Sequence, residues 1–364
     1  MKLTKVTMAT ALCLFSHSIF ANDFEDKSLN IYANFNMHTQ YETTDATSRR
    51  SELGLGSDGS AIGMMGSLPL ENNWRSFGRI SFHTDPVNHS GSPYRDGLRY
   101  QWAYVGLESL DYGKIVIGRD DTLVQHVVRK ADVHGNSVGG AKYLNHSSAI
   151  RWHGGTFTYY TPRSFPVDLA FQYIDPNSND RGGAGFLNSD GSEADTKGYL
   201  ATAEKKLGGL ELIALGRYQH DGADGFALGA RYRIGDWKLG GAYLDSRARL
   251  TQADVDRLGT YEKQDVTSLS FSVTHRVNVS NEIKFQYNHT SDGYFAGGAL
   301  NGITPRFDLK DIAVDQFVLS YTKTLSNGGN LSPQLTAFSY DDDNKENDLV
   351  LGILYGVRFG HTVK

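Results

Sequence analysis

The chain has 364 residues, with 40 Gly, 20 Tyr and 18 Phe but only 8 Pro and a single Cys; its mean hydropathy is −0.41. Beyond residue 21 no apolar run approaches the ~20 residues of a spanning helix, which excludes a helical membrane protein. The formal charge of −5 argues against a nucleic-acid partner, which calls for a basic face.

Met1 to Ala21 opens with Lys2 and Lys5, continues through the mostly apolar stretch Val6–Phe15 and closes on Ala21 before Asn22. This is the layout of a secretory signal peptide. Its removal leaves 34 basic against 41 acidic residues, a net −7 for the expected mature chain 22–364. Cys13 leaves with it, so no disulfide is expected and stability must come from a hydrogen-bonded core or from the surroundings.

From residue 29 onward the main signal is alternation. Asn30 to Tyr41 places Ile31, Ala33, Phe35, Met37, Thr39 and Tyr41 on one parity and Asn30, Tyr32, Asn34, Asn36, His38 and Gln40 on the other. Side chains alternate faces along a strand, so this segment has one apolar and one polar face. The pattern recurs in 210–220, in 265–276, where Leu269, Phe271 and Val273 oppose Ser268, Ser270 and Ser272, and in 348–359. The predicted strands are 29–41, 50–58, 74–84, 98–109, 113–119, 155–161, 167–174, 196–207, 210–220, 226–234, 237–247, 265–276, 281–290, 312–324, 331–340 and 348–359. That is about 16, with about 14 or about 18 also within boundary error.

Short connections (110–112, 208–209, 235–236, 278–280, 326–330) alternate with long ones (85–97, 120–155, 175–195, 248–264, 291–311). Tyr41, Trp74, Tyr100, Phe157, Tyr173, Tyr199, Trp237, Tyr340 and Phe359 fall near segment ends, as interfacial girdles require. A soluble sandwich would also alternate. The rhythm and the aromatics favour an all-β fold, a transmembrane antiparallel up-and-down β-barrel of 16 strands whose closure removes every free edge.

The stretch Tyr104–Gly135 carries Tyr104-Val105-Gly106-Leu107, a tight turn, Gly118-Arg119 and then a long third connection; Tyr159-Tyr160 is followed by Thr161-Pro162. In this the chain resembles the Gram-negative general porins. The resemblance implies a homotrimeric outer-membrane channel whose third loop folds into the pore, with lipid and lipopolysaccharide as surroundings. Two departures stand out. The third loop lacks a Pro-Glu-Phe-Gly motif, and Gly360-His361-Thr362-Val363-Lys364 follows Phe359, where the family usually ends on an aromatic residue.

Pore selectivity depends on charges at the narrowest point. The polar parity of 74–84 carries Arg75 and Arg79, and that of 98–109 carries Arg99 and Gln101; with Arg119 these form an expected basic wall. Gln101 stands where the family often has Arg. The same parity assigns Trp102 and Tyr104 to the apolar side. The third loop, about 120–155, is expected to oppose the wall with Asp120, Asp121 and Asp132 against Arg129, Lys130, Lys142 and Arg151, a net +1, and Thr122–Val133 has the spacing of a short helix. The expected pore is therefore less cation-selective than one with an acidic loop. Asp341–Glu346 is a charge run; one reading is divalent-cation bridging to lipopolysaccharide, but it lacks the Gly and spacing of a calcium loop, which favours a plain solvated loop.

No His/Cys metal motif, nucleophile elbow or phosphate loop is present, so neither enzyme nor cofactor is expected. His83, His126, His134 and His153 read as wall or loop histidines, and His275 with Ser272 has the wrong parity for a hydrolase pair. The primary reading is passive diffusion of ions and small hydrophilic solutes. The alternatives are a sugar-selective pore and a structural or adhesive barrel with a closed lumen.

Overall fold

The computed structural model describes residues 27–43, 52–57, 60–84, 98–134, 152–175, 197–219, 224–248, 264–291, 312–326, 328–342 and 347–363. The expected signal peptide, the loop 85–97, Lys142, Arg151 and most of the Asp341–Glu346 run lie outside the described residues, as do the side chains of Arg99 and His153.

The described strands are β1 (Ser28–Thr43), β2 (Glu52–Ser57), β3 (Ala61–Pro69), β4 (Trp74–Thr84), β5 (Leu98–Ser109), β6 (Gly113–Asp121), β7 (Trp152–Tyr160), β8 (Asp168–Ile174), β9 (Gly198–Leu207), β10 (Leu210–Gln219), β11 (Asp224–Ile234), β12 (Trp237–Ala248), β13 (Gln264–Asn278), β14 (Asn281–Thr290), β15 (Val314–Thr324), β16 (Asn330–Tyr340) and β17 (Asp348–Val363). Among the described residues one helix, α1 (Val124–Ala131), follows β6. Each strand pairs antiparallel with its neighbours, and β1 closes on β17 from Leu29↔Val363 to Thr43↔Leu349. β2 and β3 both pair with β1, end to end, so they form one interrupted stave and the wall has 16. At the interruption the Ser60 hydroxyl accepts from the Asn36 N–H at 2.9 Å and donates to its carbonyl at 3.2 Å, so the ladder groups remain satisfied.

Three expectations need correction. The stave predicted over 50–58 continues through β3 to Pro69, and an additional turn at 70–73 uses Asn72 and Asn73 at φ 58° and 61°; Asn tolerates this left-handed region without Gly. The last strand does not stop at Phe359, because Gly360, His361 and Thr362 pair with Tyr32, Ile31 and Asn30. Tyr340 does not join a girdle: it is buried, and its hydroxyl donates to Asp348 at 2.5 Å.

The apolar parity faces outward all round. Ile31, Met37, Leu269, Phe271, Leu319, Leu351 and Ile353 are exposed, while Ser268, Ser270, Ser272, Gln286, Gln316 and Thr336 on the opposite parity are buried. A large exposed apolar band on a closed barrel requires lipid around it. His275 and Ser272 lie on opposite faces, and the ring of His275 stacks on Trp237 at 4.2 Å. Replacing Leu319, at the middle of β15, by Lys should cost about 2–4 kcal/mol in a denaturant titration of vesicle-folded protein.

Candidate functional site: a helix seated inside the barrel

The chain leaves β6 and turns into the lumen. Leu123, Val124, Val127, Val128 and Ala131 are buried against Ala170, Ile174, Leu200, Ile213, Leu215, Ala227, Ala242 and Leu244, which are inward residues of β8–β12. This side of the wall is thus dry and apolar where a water-filled barrel would be polar. The helix occupies it because the sequence is apolar on both parities there.

Two wall glutamines clamp the segment. At the entry Gln172 accepts from the Leu123 N–H (3.0 Å) and donates to the Asp121 carbonyl (3.1 Å) and to Thr158 (2.9 Å). At the exit Gln286 Oε1 accepts from the Val133 N–H (3.3 Å) and lies 3.2 Å from His134 Nδ1. Gln286 Nε2 donates to Asn288, which donates to Gln316 at 2.8 Å. These residues satisfy helix-end groups that burial would otherwise leave without water. Their signal in the sequence was faint: each is a long polar residue on the inward parity, nothing more.

The expected basic wall is only partly what parity implied. Arg75 pairs with Glu108 directly across β4–β5, and Arg163 approaches the same carboxylate at 3.8 Å. Arg79 donates to the Tyr32 hydroxyl at 2.7 and 3.0 Å and lies 3.6 Å from the centre of the Trp102 ring. Gln101 is an extra, unpaired residue of β5, a bulge between the pairs Ser81↔Trp102 and Phe82↔Tyr100. An extra residue in one strand reverses every face beyond it. Trp102 and Tyr104 therefore face the lumen, a correction to their assignment to the apolar side. Gln101 is buried 3.5 Å from the Ser81 hydroxyl. Arg99 pairs with His83 along the backbone, and Arg119 is half-buried opposite Ala103, next to the kink at Gly118.

The acids of the loop sit at its root. Asp120 and Asp121 end β6; Asp120 accepts from the Asp121 N–H at 2.8 Å. Asp121 accepts from the Trp102 indole at 3.3 Å and pairs with Arg129. A continuous chain, Tyr32–Arg79–Trp102–Asp121–Arg129, thus runs from β1 to α1. Asp132 accepts from the His134 N–H at 3.1 Å. Lys130 turns away from the open lumen into the contact between helix and wall, where its ammonium meets Glu204 at 2.8 Å and Glu211 at 3.0 Å. Its long apolar stem lies along the wall, which explains an inward course that a charge count alone does not show.

Two buried histidines make the seat pH-sensitive. Desolvation, followed by the Arg129 charge, lowers the pKa of His126 to about 4. Desolvation also lowers that of His134 to about 4, opposed by its bond to Gln286. Both are neutral at pH 7. The unfolded-state value is about 6.5, so their contribution is complete above it and is lost as pH falls towards 4. Melting of the protein in detergent should therefore move to lower temperature between pH 7 and pH 4, and a flat profile over that window would contradict this.

Comparisons with known proteins agree with this geometry. A family model described as Gram-negative porin matches residues 9–345. Among solved structures, an anion-selective porin from Comamonas acidovorans superposes with a TM-score of 0.71 at 17% identity, covering 92% of this chain and 100% of that one. Salmonella typhi OmpF, in complex with daunomycin, gives 0.67 at 15% identity, covering 93% and 99%. The outer membrane channel DcaP of Acinetobacter baumannii gives 0.63 at 11% identity, covering 92% and 97%. Curated protein sequences give no significant match. A closed 16-stave barrel with an apolar outer band and a match over nearly the whole length lead to one assignment: the chain belongs to the Gram-negative porin family and forms an outer-membrane channel for passive solute diffusion.

Proposed function

We propose that ions and small hydrophilic solutes cross in the lumen left between α1 and the wall formed by β1 and β3–β5. The observation that carries this reading is the seated helix, which narrows the barrel beside a charged wall. Arg75, Arg79, Gln101 and Arg119 form the wall side of the constriction, to which the sequence pattern alone adds Arg99. Asp120, Asp121, Arg129 and Asp132 form the loop side, held at its back by Lys130. Arg75 and Arg129 each have a carboxylate partner, whereas Arg79 is held by a phenol and an indole and has no carboxylate ion pair among the described residues. The field at the narrowest point therefore does not favour cations strongly.

The protein is exported by the 1–21 signal, assembles as a homotrimer in the outer membrane and contacts lipid and lipopolysaccharide there. It uses no cofactor and catalyses no reaction. Recording from planar bilayers tests the reading. Discrete open steps are expected, with a reversal potential in a KCl gradient near zero or on the anion side. Strong cation preference, or silence, contradicts it. Arg79→Gln should move the reversal potential towards cations, while Lys323→Gln, an exposed change beyond the wall, should not. A mobility shift on heating the native sample tests the trimer.

The inward Trp102 gives some support to a sugar-selective pore, since an indole face can stack on a sugar. That face is covered by Arg79, so sugar-dependent blocking of the current is not expected in the intact channel.

A further inference from the structure

Below the exit of α1, at the end of the barrel carrying the short turns, lies a cavity of about 370 Å³ lined by Val133, by inward residues of β11–β14 and by the turn Gly235–Trp237. One row of its wall is unusual. Arg233 lies directly opposite Lys238, Lys238 opposite Thr274, and Thr274 opposite Lys284. Three cations on four successive strands thus share one level of the wall, separated only by a hydroxyl. Like charges directly across a sheet are destabilising. The acids nearby do not balance them. Glu282 holds Lys284 at 3.3 Å and Arg276 at 4.0 Å, and Asp236 sits in the turn below. Among the described residues neither Arg233 nor Lys238 has an ion-pair partner.

The hydroxyl in the row is the second observation. Thr274 is 7% exposed, lines the cavity, and its Oγ1 has no hydrogen-bond partner among the described residues. Ser320, the next residue of the row on β15, is 4% exposed, and among the described residues its hydroxyl has no partner either. Buried hydroxyls without a partner are uncommon and costly. An anion with several oxygens would satisfy the row: it accepts from the guanidinium fork, from two ammonium groups and from the Thr274 hydroxyl. A monatomic halide has no separate oxygens to distribute among them.

We propose that this cavity binds a small tetrahedral oxyanion, with inorganic phosphate as its simplest form, at the short-turn mouth of the pore. The proposal rests on the channel reading above and adds a binding step to it. Solute passing α1 then meets a site that concentrates phosphate-bearing anions at one mouth, while chloride passes with little retention.

The test is chloride current through the intact protein in planar bilayers, with inorganic phosphate titrated from the short-turn side at constant ionic strength. The expected result is a saturable reduction of the current. Lys238→Gln and Arg233→Gln should each raise the half-blocking concentration about tenfold or more, and Thr274→Val, which removes only a hydroxyl, several-fold. Lys206→Gln, an exposed cation of the same rim, should leave it unchanged. Heat-shifted mobility in gels verifies that each variant is folded, and the conservative Lys238→Arg should retain the block. A channel that opens normally but shows no saturable block, or one whose block is equally weakened by Lys206→Gln, overturns the site. A protein that never opens instead overturns the channel reading.

Discussion

Lys130→Met should unseat the third-loop helix at a cost of about 3–5 kcal/mol, because it removes one member of a buried ionic cluster and leaves the others. The Lys130 side chain is 7% exposed and serves two carboxylates, Glu204 on β9 and Glu211 on β10. Glu211 also has Arg231 at 2.5 Å and would remain compensated. Glu204 would not: among the described residues its only other cation, Lys206, is 3.9 Å away and 61% exposed. The substitution keeps the stem volume, so the loss is electrostatic and not a packing cavity. Glu204→Gln in the Lys130→Met background should recover most of the stability, and the double-mutant cycle gives the coupling directly. Two measurements register the effect: denaturant titration of the folded barrel, and single-channel recording, where a helix no longer held at its back gives larger and noisier steps. If Lys130→Met is as stable as the parent and conducts identically, the cluster contributes no more than a surface ion pair, and the helix is held by apolar contact and the two glutamines alone.

The barrel was legible because lipid enforces strict alternation. Ile31, Phe35 and Met37 against Asn30, Tyr32 and Asn34 fix the face of β1, and no interior partner is needed to read it. The boundaries of β4, β5 and β14 follow from the same rule. What alternation could not show is a change of phase. The bulge at Gln101 depends on how β5 pairs with β4, so Trp102 and Tyr104 point inward against their local parity. The turn at 70–73 was hidden because two Asn residues replace the expected Gly. The seat of α1 was harder still. It requires long-range contacts between residues 123–131 and strands as distant as β12, and no local spacing encodes those. One clue was present: Leu200, Ile213, Leu215 and Leu244 occupy the parity that elsewhere holds Ser, Thr and Gln, so the inner wall over β9–β12 had to be covered by something apolar.

Gly240→Val should destabilise the protein even though strand propensity alone predicts the reverse. Val is favoured over Gly within a strand, since Gly adds backbone entropy to the unfolded chain and offers nothing to pack. Gly240, however, faces the lumen beneath the C-terminal turn of α1. A Cβ placed there would lie 2.2 Å from the Lys130 carbonyl oxygen and 3.0 Å from the Ala131 Cα. Both are helix backbone, so the whole helix must move away from the wall, taking Val127 and Val128 out of their apolar contacts. The expected cost is about 1–3 kcal/mol from overpacking. Gly229, one strand away, is the internal comparison. Its nearest neighbours would be side-chain atoms, Ile213 Cγ2 at 2.8 Å and Lys130 Cγ and Val127 Cγ1 at 3.1 Å, which can yield by rotation. Gly229→Ala should therefore be milder than Gly240→Ala, and Gly240→Val worse than either. The order is measured by denaturant titration, and displacement of the helix by a change of conductance that follows the same order. A stabilised Gly240→Val with parental conductance would mean that β12 bears no helix, and the constriction would have to be sought elsewhere in the lumen.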